Sequence, residues 1–78
     1  MSNRIEEIKA RAEAATPGPW LVHPHESAEG QLVVDEHYDN VAECYVPEDA
    51  TFIAHAREDI PYLLAEVERL RAALEGER

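Results

Sequence analysis

The amino-acid sequence predicts an α+β domain: an N-terminal helix, a three-stranded antiparallel β-meander and a broken C-terminal helical segment. Three observations carry that expectation. Apolar residues recur at helical spacing towards both ends of the chain, short β-prone runs fill the middle, and proline or glycine stands at most changes of pattern. With 78 residues the chain is long enough for a single domain over 1–78.

The first helix is read from Asn3, with Glu6 three residues on as in a capping box. Ile5, Ile8, Ala12 and Ala15 form one apolar stripe, and Glu7 and Arg11 make a favourably oriented i,i+4 pair. Thr16-Pro17-Gly18-Pro19 ends the helix, because the prolines lack the N–H that a helix interior needs. Trp20 to His23 reads as a strand stopped by Pro24, and His25 to Gly30 as a turn. Gln31 to Val34 is the second strand, Glu36 to Asn40 another turn, and Val41 to Val46 the third strand. Alternation along that third strand puts Ala42, Cys44 and Val46 on one face and Val41, Glu43 and Tyr45 on the other.

Pro47-Glu48-Asp49 has the proline and the acids expected of a helix start. A short helix follows, and Asp59-Ile60-Pro61 is expected to break or kink it, since the residue before proline is pushed out of the α region. The last helix then runs from Pro61 to about Leu74, with Glu75 to Arg78 fraying. It carries two heptads, with Ile60, Val67 and Leu74 at one core position (a) and Leu63 and Leu70 at the other (d). Glu66 at g and Arg71 at e have the spacing of interhelical pairs in parallel coiled coils. Two heptads are short for a free-standing zipper, and Leu64 widens the stripe as a globular core would. The favoured reading is a helix packed on the sheet, with Ile60, Leu63, Val67, Leu70 and Leu74 partly shared between subunits.

Size points the same way. A chain this short has a thin core and usually needs a disulfide, a metal or a second subunit. Cys44 is the only cysteine, so no disulfide forms within the chain, and a homo-oligomer is expected. The start, Met1-Ser2-Asn3-Arg4, leads into a charged helical pattern with no apolar signal region, and no run approaches a membrane span. A cytoplasmic protein with no membrane partner is expected.

The net charge of −10 is unevenly placed. Between Arg11 and Arg57 there is no Lys or Arg, while Glu13, Glu26, Glu29, Asp35, Glu36, Asp39, Glu43, Glu48 and Asp49 all fall there. Nucleic-acid affinity rests mostly on Lys and Arg meeting phosphates, so direct nucleic-acid binding is not expected. A protein partner with a basic surface suits the acidity better.

Few residues suggest chemistry. His23-Pro24-His25 is the nearest approach to a metal signal, with His37 or Cys44 as further ligands, but it matches no zinc spacing and no metal or cofactor is expected. His37 among Asp35, Glu36 and Asp39 reads more simply as a solvated acidic turn than as an acid–base pair. Cys44 reads as a buried apolar-face residue rather than a nucleophile. No Gly-rich phosphate cradle exists, and a non-catalytic protein is expected. Trp20 reads first as core and second as a stacking platform. Arg57 reads as a salt bridge to Glu58, Asp59 or a sheet acid, or as an anion-binding residue. If the protein instead sequesters a signalling nucleotide, Trp20, Tyr45 and Arg57 are the candidate ligand-binding residues.

Two patches together carry a family likeness. One is Ala15-Thr16-Pro17-Gly18-Pro19-Trp20 after a short amphipathic helix; the other is Asp49 to Arg57, continued by Pro61-Tyr62-Leu63-Leu64-Ala65-Glu66-Val67-Glu68-Arg69-Leu70-Arg71. In these the chain resembles small, mostly uncharacterised proteins of actinobacteria and their phages, similar to Ead-like phage proteins. The likeness covers both ends and not the hairpin region, and it brings no catalytic residues. It implies a phage or prophage accessory protein of the host cytoplasm, acting against host defences by binding a host protein or a signalling nucleotide.

Overall fold

The computed structural model describes residues 3–24 and 30–76. The capping role read for the Asn3 side chain, His25 with the turn through residue 29, and the last two residues lie outside the described parts. The elements are α1 (Asn3–Ala14), β1 (Leu21–Pro24), β2 (Gln31–Val34), β3 (Asn40–Cys44) and α2 (Pro47–Gly76). The strands form one antiparallel sheet in the order β1-β2-β3, so the α+β class and the meander are as the sequence predicts.

α1 ends before the Thr16-Pro17-Gly18-Pro19 segment, in which the Gly18–Pro19 peptide is cis. β1 begins one residue later than expected and includes Pro24, which pairs with Gln31 on the outer strand of the sheet. An edge position accommodates proline because the missing N–H can face away from the ladder.

β3 differs more. It stops at Cys44, and Tyr45 and Val46 belong to the turn into α2, where the Val46 carbonyl accepts the N–H groups of Asp49 and Ala50. The register also shifts: Val33 pairs with Ala42 but Val34 with Asn40, leaving Val41 as an extra residue. A bulge of this kind breaks two-residue alternation. Val41 therefore packs against the core together with Ala42 and Cys44, instead of on the opposite face as alternation predicts.

The core is small. Val33, Ala50 and Ala54 form one buried cluster, with Trp20, Ile53 and Cys44 packed around them, and Val34 is buried as well. Alanines at the contact let α2 lie close on β2, because helix approach distance follows side-chain size. Gly30 marks another close approach: a Cβ there would stand 2.9 Å from the Cys44 carbonyl oxygen.

The expected break at Asp59-Ile60-Pro61 does not occur. α2 is one 30-residue helix with Pro61 in its interior. Proline at 61 removes the hydrogen bond that the Arg57 carbonyl would accept and crowds that carbonyl. The helix continues because each side of the proline is long enough to be held by its own packing, the first on the sheet and the second beside α1. Thirty residues span about 45 Å, and the chain measures 58 × 21 × 19 Å. Its radius of gyration of 16.0 Å exceeds the roughly 11–12 Å of a compact chain this long. Much of α2 therefore extends beyond the sheet.

The link from β2 to β3 is organised by Asp35, a buried polar residue at 6 % exposure. Its Oδ1 accepts the N–H of His37 at 2.8 Å and of Asp39 at 3.0 Å. Its own N–H donates to the Asp39 carbonyl, and its carbonyl accepts from Tyr38. Tyr38 takes a left-handed conformation (φ 64°), which a bulky residue adopts only when its surroundings fix it.

Candidate functional site

Arg57 and Trp20 come together at the end of α1. Arg57 donates from Nη2 to the Ala12 carbonyl at 2.8 Å and from Nη1 to the Thr16 carbonyl at 3.1 Å. The Trp20 indole Nε1 donates to the same Thr16 oxygen at 3.2 Å, and the Arg57 guanidinium carbon stands 5.7 Å from the Trp20 ring centroid. A cation at this end of a helix meets carbonyls without intrahelical partners and the negative end of the dipole. Among the described residues Arg57 makes no ion pair, so the expected salt bridge to Glu58, Asp59 or a sheet acid is replaced by a cap on α1 and a cation–π contact. Gly18 makes room for this arrangement, since a Cβ there would lie 2.7 Å from Arg57 Cγ.

Beside the pair runs an open groove of about 280 Å³ between α1 and α2. Ile8, Ala12, Ala15, Trp20 and Ile60 give it an apolar wall, and Arg11 and Arg57 supply its charge. The structure thus unites Trp20 and Arg57 but not Tyr45. That residue is 87 % exposed in the turn after β3 and does not line the groove.

The acidic residues fall into two kinds. Asp35 is buried and holds its turn, whereas Glu36, Asp39, Glu43, Glu48 and Asp49 are exposed. Glu26 and Glu29 lie outside the described residues. His37 is exposed, with Nε2 3.6 Å from Glu36 Oε2, and the His23 ring lies 6.0 Å from that of Tyr38. Cys44 is half-buried against the core. Among the described residues no three His, Cys, Asp or Glu side chains gather as a metal site would require, and no helix is long and apolar enough to cross a membrane.

The heptad stripe occupies a third surface. The sheet meets α2 through Ala50, Ile53 and Ala54, and Lys9 reaches from α1 to Glu68 at 3.4 Å. The stripe itself does not pack on the sheet as expected. Ile60 and Val67 are half-buried, while Leu63, Leu70 and Leu74 are 54, 56 and 69 % exposed.

Sequence reasoning missed two roles. Arg57 gave no sign of capping a helix 45 positions earlier in the chain, because a cap from a distant segment has no local spacing. Asp35 did carry a signal, as Asp opening a turn commonly bonds its own backbone two residues on, but the surrounding acids made it look solvated. Comparison with protein-family models, with curated proteins and with solved structures gave no match to this chain.

Proposed function

We propose that this protein is a non-catalytic phage or prophage accessory protein that binds a basic surface on a host protein through its acidic face. The supporting observation is the charge segregation refined by burial. Glu36 and Asp39 in the β2–β3 turn, Glu43 on β3, and Glu48 and Asp49 at the start of α2 are exposed on a stretch without any Lys or Arg. Charge of one sign, kept in solvent without interspersed Lys or Arg, steers oppositely charged partners and speeds their association. The two segments that resemble Ead-like phage proteins also meet in the fold, through Arg57 and Thr16.

The test is capture from a bacterial lysate by the immobilised protein. A basic protein retained at low salt, released by added salt, and lost on combining Glu36→Gln, Asp39→Asn, Glu43→Gln and Glu48→Gln is the expected result. Retention unchanged by those substitutions would refute the acidic face as the contact.

A second reading has the Trp20–Arg57 groove taking a signalling nucleotide, with Trp20 stacking on the base. It ranks lower because Nη1 and Nη2 of Arg57 are already committed to the Thr16 and Ala12 carbonyls, and because Tyr45 stands elsewhere. Calorimetry with ADP-ribose and with cyclic dinucleotides checks it; heat of binding lost in Trp20→Ala would favour this reading over the first.

A further inference from the structure

We propose that the exposed stripe of α2 is a self-association surface, and that two copies of this chain pair through it in parallel as a short two-stranded coiled coil. The argument begins with the geometry of one helix. At about 100° per residue, Ala50, Arg57, Pro61, Leu64 and Glu68 fall on one face, the face that meets first the sheet and then α1. From the middle of that face, Ile60 and Val67 lie roughly a fifth to a quarter of a turn away, and Leu63, Leu70 and Leu74 roughly a third to two-fifths. Leu63, Leu70 and Leu74 thus lie off the covered face, with neither the sheet nor α1 over them, and stay more than half exposed, while Ile60 sits at the border and also lines the groove.

The occupant is read from the pattern. β-Branched residues at a with leucine at d favour two parallel strands, and here Ile60 and Val67 hold the first two a positions, with Leu74 at the third, while Leu63 and Leu70 hold d. In a two-fold parallel pair each of these residues meets its own copy, so the stripe is complementary to itself. The flanking charges agree. Glu66 at g lies opposite Arg71 at e of the second chain, and the symmetry forms that pair twice. Within one chain Glu66 holds Arg69 at 2.8 Å, and Arg71 makes no ion pair among the described residues, leaving it available to the partner. In an antiparallel pair g would face g and e would face e, so Glu66 would lose Arg71 as its partner.

Electrostatic repulsion between copies is small along this segment. From Ile60 to Gly76 the charges are Glu66, Glu68 and Glu75 against Arg69 and Arg71, while the acidic excess lies earlier in the chain. The stripe is only two heptads long, but the α1–α2 contact beside it, through Lys9 and Glu68, already holds part of each helix and lowers the ordering cost of pairing.

Parallel pairing sets both sheets, and both acidic faces, at the same end of the rod. The assembly does not depend on the acidic-face reading; only the bivalent presentation that follows from it does. Two acidic faces side by side would engage a repeated or symmetric basic partner with an avidity that one copy lacks.

The experiment uses the full chain. Light scattering should give twice the 8.8 kDa chain mass at high protein concentration. Combining Leu63→Glu and Leu70→Glu should return the mass to that of one chain with helical circular dichroism retained, because both positions are exposed. A monomer at millimolar concentration, or a dimer that survives the double substitution, overturns the proposal. Orientation is read from Leu74→Cys in a Cys44→Ser background. Parallel helices bring the two sulfurs together and give a covalent dimer on mild oxidation. Antiparallel helices centred on Val67 would hold them about 20 Å apart, and absence of the covalent dimer refutes the parallel arrangement. Glu66→Arg or Arg71→Glu alone should weaken the dimer about tenfold, equivalent to about 1.4 kcal/mol. Both changes in one chain should restore it, and failure to restore refutes the charge pairing. A monomeric chain that still captures a basic protein through its acidic face would separate failure of this assembly from failure of the proposed function.

Discussion

Trp20 and Arg57 share one acceptor. The carbonyl oxygen of Thr16 takes the indole N–H at 3.2 Å and a guanidinium N–H at 3.1 Å, while the guanidinium also lies against the indole ring. The end of α1, the start of β1 and the middle of α2 are therefore joined at a single oxygen. Arg57→Ala is expected to destabilise the fold by about 2–3 kcal/mol, through two charge-assisted hydrogen bonds and the cation–π contact. Gly18→Ala should cost about 1–3 kcal/mol by forcing the Arg57 stem aside. The two losses should not add, with a coupling of about 0.5–3 kcal/mol. Urea unfolding of the two single variants and the double variant, at one protein concentration, measures this; simple additivity would show that Gly18 and Arg57 act separately.

Removing the Asp35 carboxyl should loosen the β2–β3 turn. Asp35→Ala leaves the N–H groups of His37 and Asp39 without their acceptor, a loss of about 2 kcal/mol. Asp35→Asn keeps an oxygen at that position and should lose less. The melting temperatures of the two variants decide it, and equal losses would mean that charge, not the acceptor geometry, fixes the turn.

Pro61 interrupts the hydrogen-bond ladder of α2 without ending the helix. Pro61→Ala restores a donor for the Arg57 carbonyl and should stabilise the protein by about 1–3 kcal/mol, with a gain in helical circular dichroism. A loss of stability would show instead that the ring's packing against α1 outweighs the missing bond.

The Lys9–Glu68 contact gives a pH signature. The hydrogen bond to Glu68, followed by the Glu68 charge, raises the Lys9 amine above its ordinary value of 10.5. A raised folded value means that the contribution is complete below the unfolded value and is lost as pH climbs through the folded one. The stability difference between the natural chain and Lys9→Met should thus be constant at neutral pH and disappear in strong alkali. Both side chains are well exposed, at 45 and 62 %, so the difference is small and should shrink with added salt. A difference that persists above the folded value would assign it to packing of the lysine stem.

Much of the architecture was legible from local signals. The segment Thr16 to Pro19 stops α1, Gln31 to Val34 is β2 with the expected limits, and Pro47 opens α2 with Glu48 and Asp49 in its first turn. What escaped depends on partners distant in sequence. The bulge at Val41 comes from pairing with β2, which period-two alternation in one strand does not contain. Continuity through Pro61 depends on packing on both sides of it, whereas a proline read locally signals a stop. The site was less legible than the fold. Trp20 and Arg57 stood out by composition, but only the fold shows that they meet and that Tyr45 does not join them.

The unbroken length of α2 also governs how the molecule turns in solution. A body of 58 × 21 × 19 Å spins about its long axis more freely than it tumbles end over end. Amide bonds of α2 lie nearly along that axis, so they sense mainly the slow end-over-end motion. Strand amides, at other inclinations, sense both motions. Nuclear relaxation would therefore divide the backbone into two classes by direction alone, even if every residue were equally rigid.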